Sequence, residues 1–138
     1  MEKYVFDACA LIAYYTDEEG ADIIQGIISK AYFKESQIFI SKINLLEVFY
    51  DVYRSQGKKE AEGFLDDIIN SPVKIIETMK KSVFVEAGRL KASYRISLAD
   101  SVFLAEILMN EGYIGVTADH HELDTIKEVE KVNLLWIR

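Results

Sequence analysis

The chain has 138 residues, of which 50% are hydrophobic, and a formal net charge of −7. This length fits one domain spanning 1–138. A compact chain of this size buries roughly two-thirds of its unfolded surface, so its fold needs no disulfide or structural metal. The apolar fraction excludes intrinsic disorder. The acidic balance argues against non-specific coating of nucleic acid, because that affinity comes mainly from phosphate neutralisation, but it leaves room for a local site.

Cys9 is the single cysteine, which excludes an intrachain disulfide and a cysteine-rich zinc site. No apolar run approaches the ~18 residues that span a bilayer. Asp7 interrupts the apolar stretch where a signal peptide would have its hydrophobic region. We therefore expect a cytoplasmic protein with no membrane partner.

Strand and helix patterns alternate along the chain. Short β-prone runs predict five strands, at 4–6, 38–40, 73–76, 113–116 and 134–137. Apolar residues at helical spacing predict about seven helices, at 8–16, 18–33, 45–57, 58–70, 79–94 and 97–112, with a further one from His120. Such alternation requires crossover connections, so the expected fold class is α/β: a three-layer α/β/α sandwich around a central, mostly parallel five-stranded sheet.

Acidic residues lie at or close after the ends of the predicted strands. Asp7 follows the first strand, Glu47 comes seven residues after the second, and Asp119 lies three residues after the fourth. A fourth acid, Asp100, stands in the first turn of a predicted helix. Ligands of open parallel sheets bind beyond the carboxyl ends of the strands, so these acids are candidate site residues.

Taken singly, most of these acids have a purely structural explanation. Asp7 and Asp119 are residues that commonly cap a following helix. Ser97 with Asp100 three residues later matches a capping box, although Glu or Gln is the usual partner. Glu47 fits such explanations least, since apolar residues flank it and no basic residue lies one helical turn away. Burying that carboxylate would be costly unless a distant group pairs with it.

One arrangement accounts for all four acids, namely convergence at the carboxyl edge of the sheet. Such a cluster repels itself and raises some of its own pKa values. A hard divalent cation relieves the repulsion, and Mg²⁺ prefers carboxylate oxygens while keeping waters, one of which can act as a nucleophile. The pattern therefore favours a metal site suited to phosphodiester hydrolysis.

The strings that carry these acids resemble the PIN-domain ribonucleases, most closely their VapC-type toxin branch. No single string is specific, but order and spacing agree over essentially the whole chain. The matching strings are Val5-Phe6-Asp7-Ala8 with Leu11-Ile12-Ala13, Ile40-Ser41 with Leu46-Glu47-Val48, Leu90-Lys91, Ile96-Ser97-Leu98-Ala99-Asp100-Ser101 and Thr117-Ala118-Asp119.

The resemblance implies a five-stranded parallel α/β/α domain whose acids bind Mg²⁺ or Mn²⁺. Carried over position by position, the metal-site and catalytic acids would be Asp7, Glu47, Asp100 and Asp119. Thr117 would be the hydroxyl near the metal or its water. The toxin branch further implies an endoribonuclease that cleaves RNA, forms a homodimer and is silenced by a small antitoxin protein.

Some residues depart from the family pattern or lie outside it. Cys9 occupies a position where small polar residues are common, which leaves the surroundings of the acids open but not the ligand set. Glu122 is either an additional carboxylate of the site or, as we expect, part of a solvated helix face. His120 and His121 are adjacent, so they point in different directions and do not form a two-histidine ligand pair.

The segment 79–96 is basic, with five Lys and Arg residues against Glu86. Lys91 and Arg95 are four residues apart and are expected to share one helix face, which makes them the preferred candidates for contacts with RNA phosphates. The alternative is an ordinary solvated helix face. Tyrosines such as Tyr50 are expected to pack helices or a subunit interface.

Two other functional classes stay open. A receiver-type phosphoacceptor domain also places Asp residues at strand ends, but it would need an adjacent acid pair after the first strand and a late-strand Lys, and neither is evident. A PIN fold that has become a catalytically silent binding or assembly module is the second class. The complete set of four acids argues against it.

Overall fold

The computed structural model describes residues 1–138, apart from the side chains of His121 and Glu122. The strands within this part of the chain are β1 (Glu2–Phe6), β2 (Ser36–Ser41), β3 (Val73–Ile76), β4 (Tyr113–Thr117) and β5 (Leu134–Trp136). The helices are α1 (Ala8–Tyr15), α2 (Ala21–Tyr32), α3 (Lys42–Gln56), α4 (Lys58–Ile69), α5 (Lys81–Ser93), α6 (Leu98–Leu108) and α7 (His120–Glu130). Among the described residues, no helix is long and apolar enough to cross a bilayer.

The strands form one sheet in the order β3-β2-β1-β4-β5, and each neighbouring pair is parallel. The chain leaves β1 toward β2 and β3 on one side and later crosses to β4 and β5 on the other. A topological switch point therefore lies between β1 and β4, at whose carboxyl ends ligands of such sheets bind. The expected α/β class is confirmed, and the sheet is parallel throughout.

Helices cover both faces of the sheet. In β1 the side chains alternate: Tyr4 and Phe6 pack in the cluster that contains α1 to α4, whereas Val5 packs in the cluster with α5, α6 and α7. Phe6 and Val5 are fully buried, and burial of a side chain of this kind contributes roughly 1.5–3 kcal/mol. The three-layer architecture is confirmed.

Two helix ends differ from their predicted positions, one because of a contact with a distant part of the chain and one beside a local hydrogen bond. Helix α2 begins at Ala21 rather than at 18, because Gly20 has φ +98° and a Cβ there would lie 2.7 Å from the main-chain oxygen of Ile137. Helix α6 ends at Leu108, before the predicted stop, and the Asn110 side chain donates a hydrogen bond to a carbonyl of its last turn. Glycine at position 20 is thus required by a close approach to the far end of the chain.

Candidate metal centre

Asp7 lies at the switch point, between the end of β1 and the start of α1. Its Oδ1 accepts a hydrogen bond of 2.8 Å from the Ala10 N–H, so it caps α1 as the sequence allowed. Its Oδ2 accepts a short hydrogen bond from the Thr117 hydroxyl at the end of β4. The side chain therefore caps a helix and also joins the two central strands, and the residue is 1% exposed.

Thr117 connects Asp7 with Asp119. The hydroxyl donates to Asp7 and accepts a hydrogen bond of 3.1 Å from the Asp119 N–H. Thr117 is fully buried, whereas Asp119 is partly exposed. The structure thus brings together three of the predicted site residues, from β1, β4 and the turn before α7.

The other two acids lie on α3 and α6. Glu47 is in the second turn of α3, and Asp100 is in the first turn of α6, where its N–H donates to the capping Ser97 hydroxyl at 3.1 Å. Ser97 therefore caps α6 as predicted. Asp100 is partly exposed.

Glu47 is exposed, so the expectation of a carboxylate at risk of burial among apolar side chains is wrong. Its apolar neighbours Leu46 and Tyr50 are each 60% exposed, because the buried face of α3 is formed by other residues, among them Leu45 and Val48. The unusual surroundings of Glu47 in the sequence reflect an exposed apolar surface on α3.

Asn44 connects the two helices that carry these acids, and the sequence analysis did not single it out. Its side chain accepts the hydroxyl hydrogen of Ser41 and donates to the Ala99 carbonyl at 3.4 Å. Asn44 is 1% exposed and lies one turn before Glu47, while Ala99 directly precedes Asp100. A polar residue on the inner face of a helix was the only sign of this role in the sequence.

The electrostatics of the site are those of a crowded acidic cluster. Burial raises the pKa of Asp7 to about 7, hydrogen bonds from Thr117 and Ala10 oppose that rise, and the charges of Asp119 and Glu47 add to it. Partial desolvation raises the pKa of the Cys9 thiol to about 12, with further contributions from the carboxylates of Asp7, Asp119, Asp100 and Glu47. The charges of all four acids therefore contribute to the pKa of a single thiol.

The donor set fits a hydrated divalent cation. In the part of the chain that the structure describes, no three or more His, Cys, Asp or Glu side chains are grouped so that they could hold a metal ion between them. Mg²⁺ is usually held by only one or two carboxylates and keeps several waters. The residues that could hold it directly or through water are the four acids, with Thr117 orienting Asp7.

The basic segment is arranged differently from the prediction. Helix α5 ends at Ser93 and the backbone is extended at Tyr94, so Lys91 and Arg95 do not share a helix face. Both are exposed, and neither forms an ion pair with another described side chain. Arg89 instead pairs with Glu86 and with Glu130 on α7, which neutralises it.

The structure describes the side chain of His120 but not that of His121. The His120 ring stacks on Trp136 and forms hydrogen bonds with the main-chain oxygen of Arg138 and with Asp124, and these hydrogen bonds raise its pKa. The side chains of His121 and Glu122 lie outside the described residues. The proposed alternative roles of Glu122 therefore stay predictions.

The parallel sheet with helices on both faces places this chain in the class of open α/β proteins, whose ligands bind at the carboxyl edge of the sheet. Residues 4–127 match the family model of the PIN domain, so this chain belongs to the PIN domain family. The family resemblance seen in the sequence is confirmed, and membership excludes the receiver-type alternative. No curated protein sequence matches the chain.

Several solved structures share the fold. VapBC2 from Rickettsia felis, bound to a DNA fragment from the promoter, has a TM-score of 0.71 at 19% identity, covering 96% of this chain and 97% of that chain. DNA-bound VapBC from Salmonella typhimurium has a TM-score of 0.71 at 15% identity and covers 100% of both chains. VapBC-1 from nontypeable Haemophilus influenzae has a TM-score of 0.69 at 12% identity, with 98% of each chain covered. At these identities the likeness shows the fold.

Proposed function

We propose that this chain is a Mg²⁺- or Mn²⁺-dependent endoribonuclease that acts in the cytoplasm as the toxin of a type II toxin–antitoxin pair. The observation that carries the proposal is the joining of Asp7 and Asp119 through Thr117 at the switch point, where Glu47 and Asp100 act on the same neighbouring thiol. A divalent cation offsets the repulsion between neighbouring carboxylates.

The chain's residues have distinct roles in this proposal. Asp7, Glu47 and Asp100 would hold the cation, Asp119 would be the fourth acid, and Thr117 fixes the orientation of Asp7. A bound divalent cation supplies an activated water and offsets charge on the phosphodiester. The water oxygen would bond to phosphorus and give up a proton to solvent, while the bond from phosphorus to one ribose oxygen breaks and that oxygen takes up a proton from solvent.

Lys91 and Arg95 are the proposed contacts for RNA phosphates. They are exposed and close in sequence to the acid-bearing helix α6, and no described acidic side chain pairs with them. Two separate basic side chains, one at the end of α5 and one after it, suit contacts along an extended RNA strand better than a pocket for a single phosphate.

Cleavage of single-stranded RNA tests the activity. The purified chain, freed of any partner, is incubated with RNA in Mg²⁺, Mn²⁺ or EDTA, beside Asp100→Asn. Asp66→Asn is the matched control, because Asp66 is an exposed acid of α4 that does not act on Asp7 or Cys9. We expect cleavage by wild type and Asp66→Asn in either metal and none by Asp100→Asn or in EDTA. Cleavage that survives EDTA refutes the mechanism, and a complete lack of cleavage favours the binding-module alternative.

The proposed partners are a small antitoxin protein and a second copy of the chain. Structures titled as VapBC and as a toxin–antitoxin complex support the first. Exposed apolar side chains on α3 and α4, including Leu46 at 60% and Ile69 at 58%, support a protein interface and hence the second. Co-purification with the product of an adjoining gene tests the antitoxin, and sedimentation equilibrium tests the homodimer.

A further inference from the structure

The imidazole of His120 is held on three sides. Its ring stacks on the indole of Trp136 with centroids 3.9 Å apart and planes inclined by 17°. Nε2 donates to the main-chain oxygen of Arg138 at 2.7 Å, and Nδ1 lies 3.1 Å from Oδ1 of Asp124. An exposed side chain is therefore tied to β5, to the residues after β5 and to its own helix.

These contacts fix the turn that carries Asp119. On one side, the Asp119 N–H is bonded to the Thr117 hydroxyl, which also holds Asp7. On the other side, His120 follows Asp119 directly and is attached to Trp136, the register partner of Thr117 in the β4–β5 ladder. The turn is thus attached to β1 through Thr117 and to β5 through His120.

We propose that His120 is a positioning residue, which holds the carboxylate of Asp119 within reach of the other three acids by fixing the turn between β4 and α7 to β5. This role rests on the proposed metal-dependent nuclease function. Groups that orient metal ligands without touching the metal typically contribute a factor of about 10–100 in metal affinity.

The contacts of His120 distinguish a positioning role from direct metal binding or proton transfer. Both ring nitrogens of His120 already face oxygen acceptors, and one ring face is covered by Trp136. A histidine engaged in this way has neither a free nitrogen for a metal nor one for proton transfer to substrate. It acts on the site only through the main chain it shares with Asp119.

Metal affinity is the measurement that distinguishes positioning from general stability. We expect His120→Ala to raise the Mn²⁺ dissociation constant, measured by isothermal titration calorimetry, by about tenfold. The same variant should keep the KM for RNA within about twofold of wild type at saturating metal, because the RNA contacts are elsewhere. His120→Gln retains one donor for the main-chain oxygen of Arg138 and should regain part of the lost Mn²⁺ affinity. Trp136→Phe should likewise bind Mn²⁺ more tightly than Trp136→Leu.

Arg89→Ala is the matched control. This substitution removes the ion pair between Arg89 on α5 and Glu130, the last residue of α7. It therefore loosens α7 at the end opposite to His120. Thermal unfolding followed by circular dichroism shows which variants are folded, and His120→Gln carries the test if His120→Ala is not.

The outcomes separate the two proposals. Weakened Mn²⁺ binding in His120→Ala, with Arg89→Ala like wild type, supports the positioning role. Equal weakening in both variants, or an unchanged His120→Ala beside a weakened Asp119→Asn, overturns it while the nuclease function stands. A wild-type chain that binds no Mn²⁺ and cleaves no RNA overturns the proposed function and the positioning role together.

Discussion

At the residue scale, the Asp7 carboxyl is subject to opposing influences. Hydrogen bonds from Ala10 and Thr117 favour its charged form, while burial at 1% exposure and the carboxylates of Asp119 and Glu47 disfavour it. The net result is a pKa of about 7, above the ordinary value of 3.8. A metal-free chain at neutral pH therefore carries a carboxyl that is costly to ionise.

This cost predicts a pH-dependent stability. Because the folded pKa of Asp7 is raised, its contribution is fully present below pH 3.8 and is lost as the pH rises toward about 7. The free energy of unfolding should fall by about 1.4 kcal/mol for each pH unit between those values. Asp7→Asn keeps an oxygen for the Ala10 N–H but cannot ionise, so it should be more stable than wild type at pH 8 in EDTA.

Urea unfolding at pH 5, 6.5 and 8 in EDTA measures this difference. Asp66→Asn, an exposed acid of α4, should leave the wild-type slope unchanged. Parallel stability curves for wild type and Asp7→Asn would contradict the prediction.

Whether a site residue could be predicted depends on how far apart along the chain its contacts lie. Asp7 and Asp119 could be predicted because a polar residue after a β-prone run lies at the carboxyl edge by topology alone. Asn44 could not, since its partner Ala99 lies 55 positions away along the chain. Glu47 was selected because apolar residues flank it, but its side chain is exposed; its charge nevertheless contributes to the raised pKa of Asp7.

At the scale of elements, the crossing of α3 and α6 determines how Glu47 and Asp100 approach each other. Asn44 is the buried hydrogen-bonding group at this crossing. Asn44→Ala leaves the Ala99 carbonyl without this donor, and Ala99 is only 3% exposed. We expect a loss of about 1–3 kcal/mol in the free energy of unfolding, together with weaker Mn²⁺ binding, because the two helices then hold their acids less firmly.

Urea unfolding and Mn²⁺ titration of the same samples test both parts of this prediction. The matched control is Asn70→Ala, since the exposed Asn70 side chain bonds only a carbonyl of its own helix, that of Asp66. Equal effects in the two variants would show that the α3–α6 crossing has no special importance.

Element types were easier to predict than element ends. The strands were found because short β-prone runs end at polar residues, and their parallel pairing follows from the intervening helices. The ends of α2 and α5 were misplaced, because the first depends on the approach of Gly20 to Ile137 and the second on the extended backbone at Tyr94. Arg95 was assigned to the same face as Lys91 because the two are four residues apart, but the helix ends before Arg95.

At the scale of the whole molecule, acidic and basic groups are unevenly arranged. The net charge is −7, and the four site acids account for more than half of it. Several of the basic side chains are engaged in ion pairs, among them Arg89 with Glu130 and Arg138 with Glu18. Under the proposed function, we therefore expect RNA affinity to depend on a cation at the acidic edge and on few phosphate contacts.

This arrangement predicts a shallow salt dependence of RNA cleavage. With Lys91 and Arg95 as the two phosphate contacts, log(kcat/KM) should fall against log[KCl] with a slope of about −1.4, since each contact on a single strand contributes about −0.7. Lys91→Ala and Arg95→Ala should each reduce the magnitude of the slope by about 0.7. Lys30→Ala, at the far end of α2, should leave it unchanged. The measurement is made at fixed, saturating Mg²⁺, and a slope steeper than about −3 would require a broader basic surface than the two residues provide.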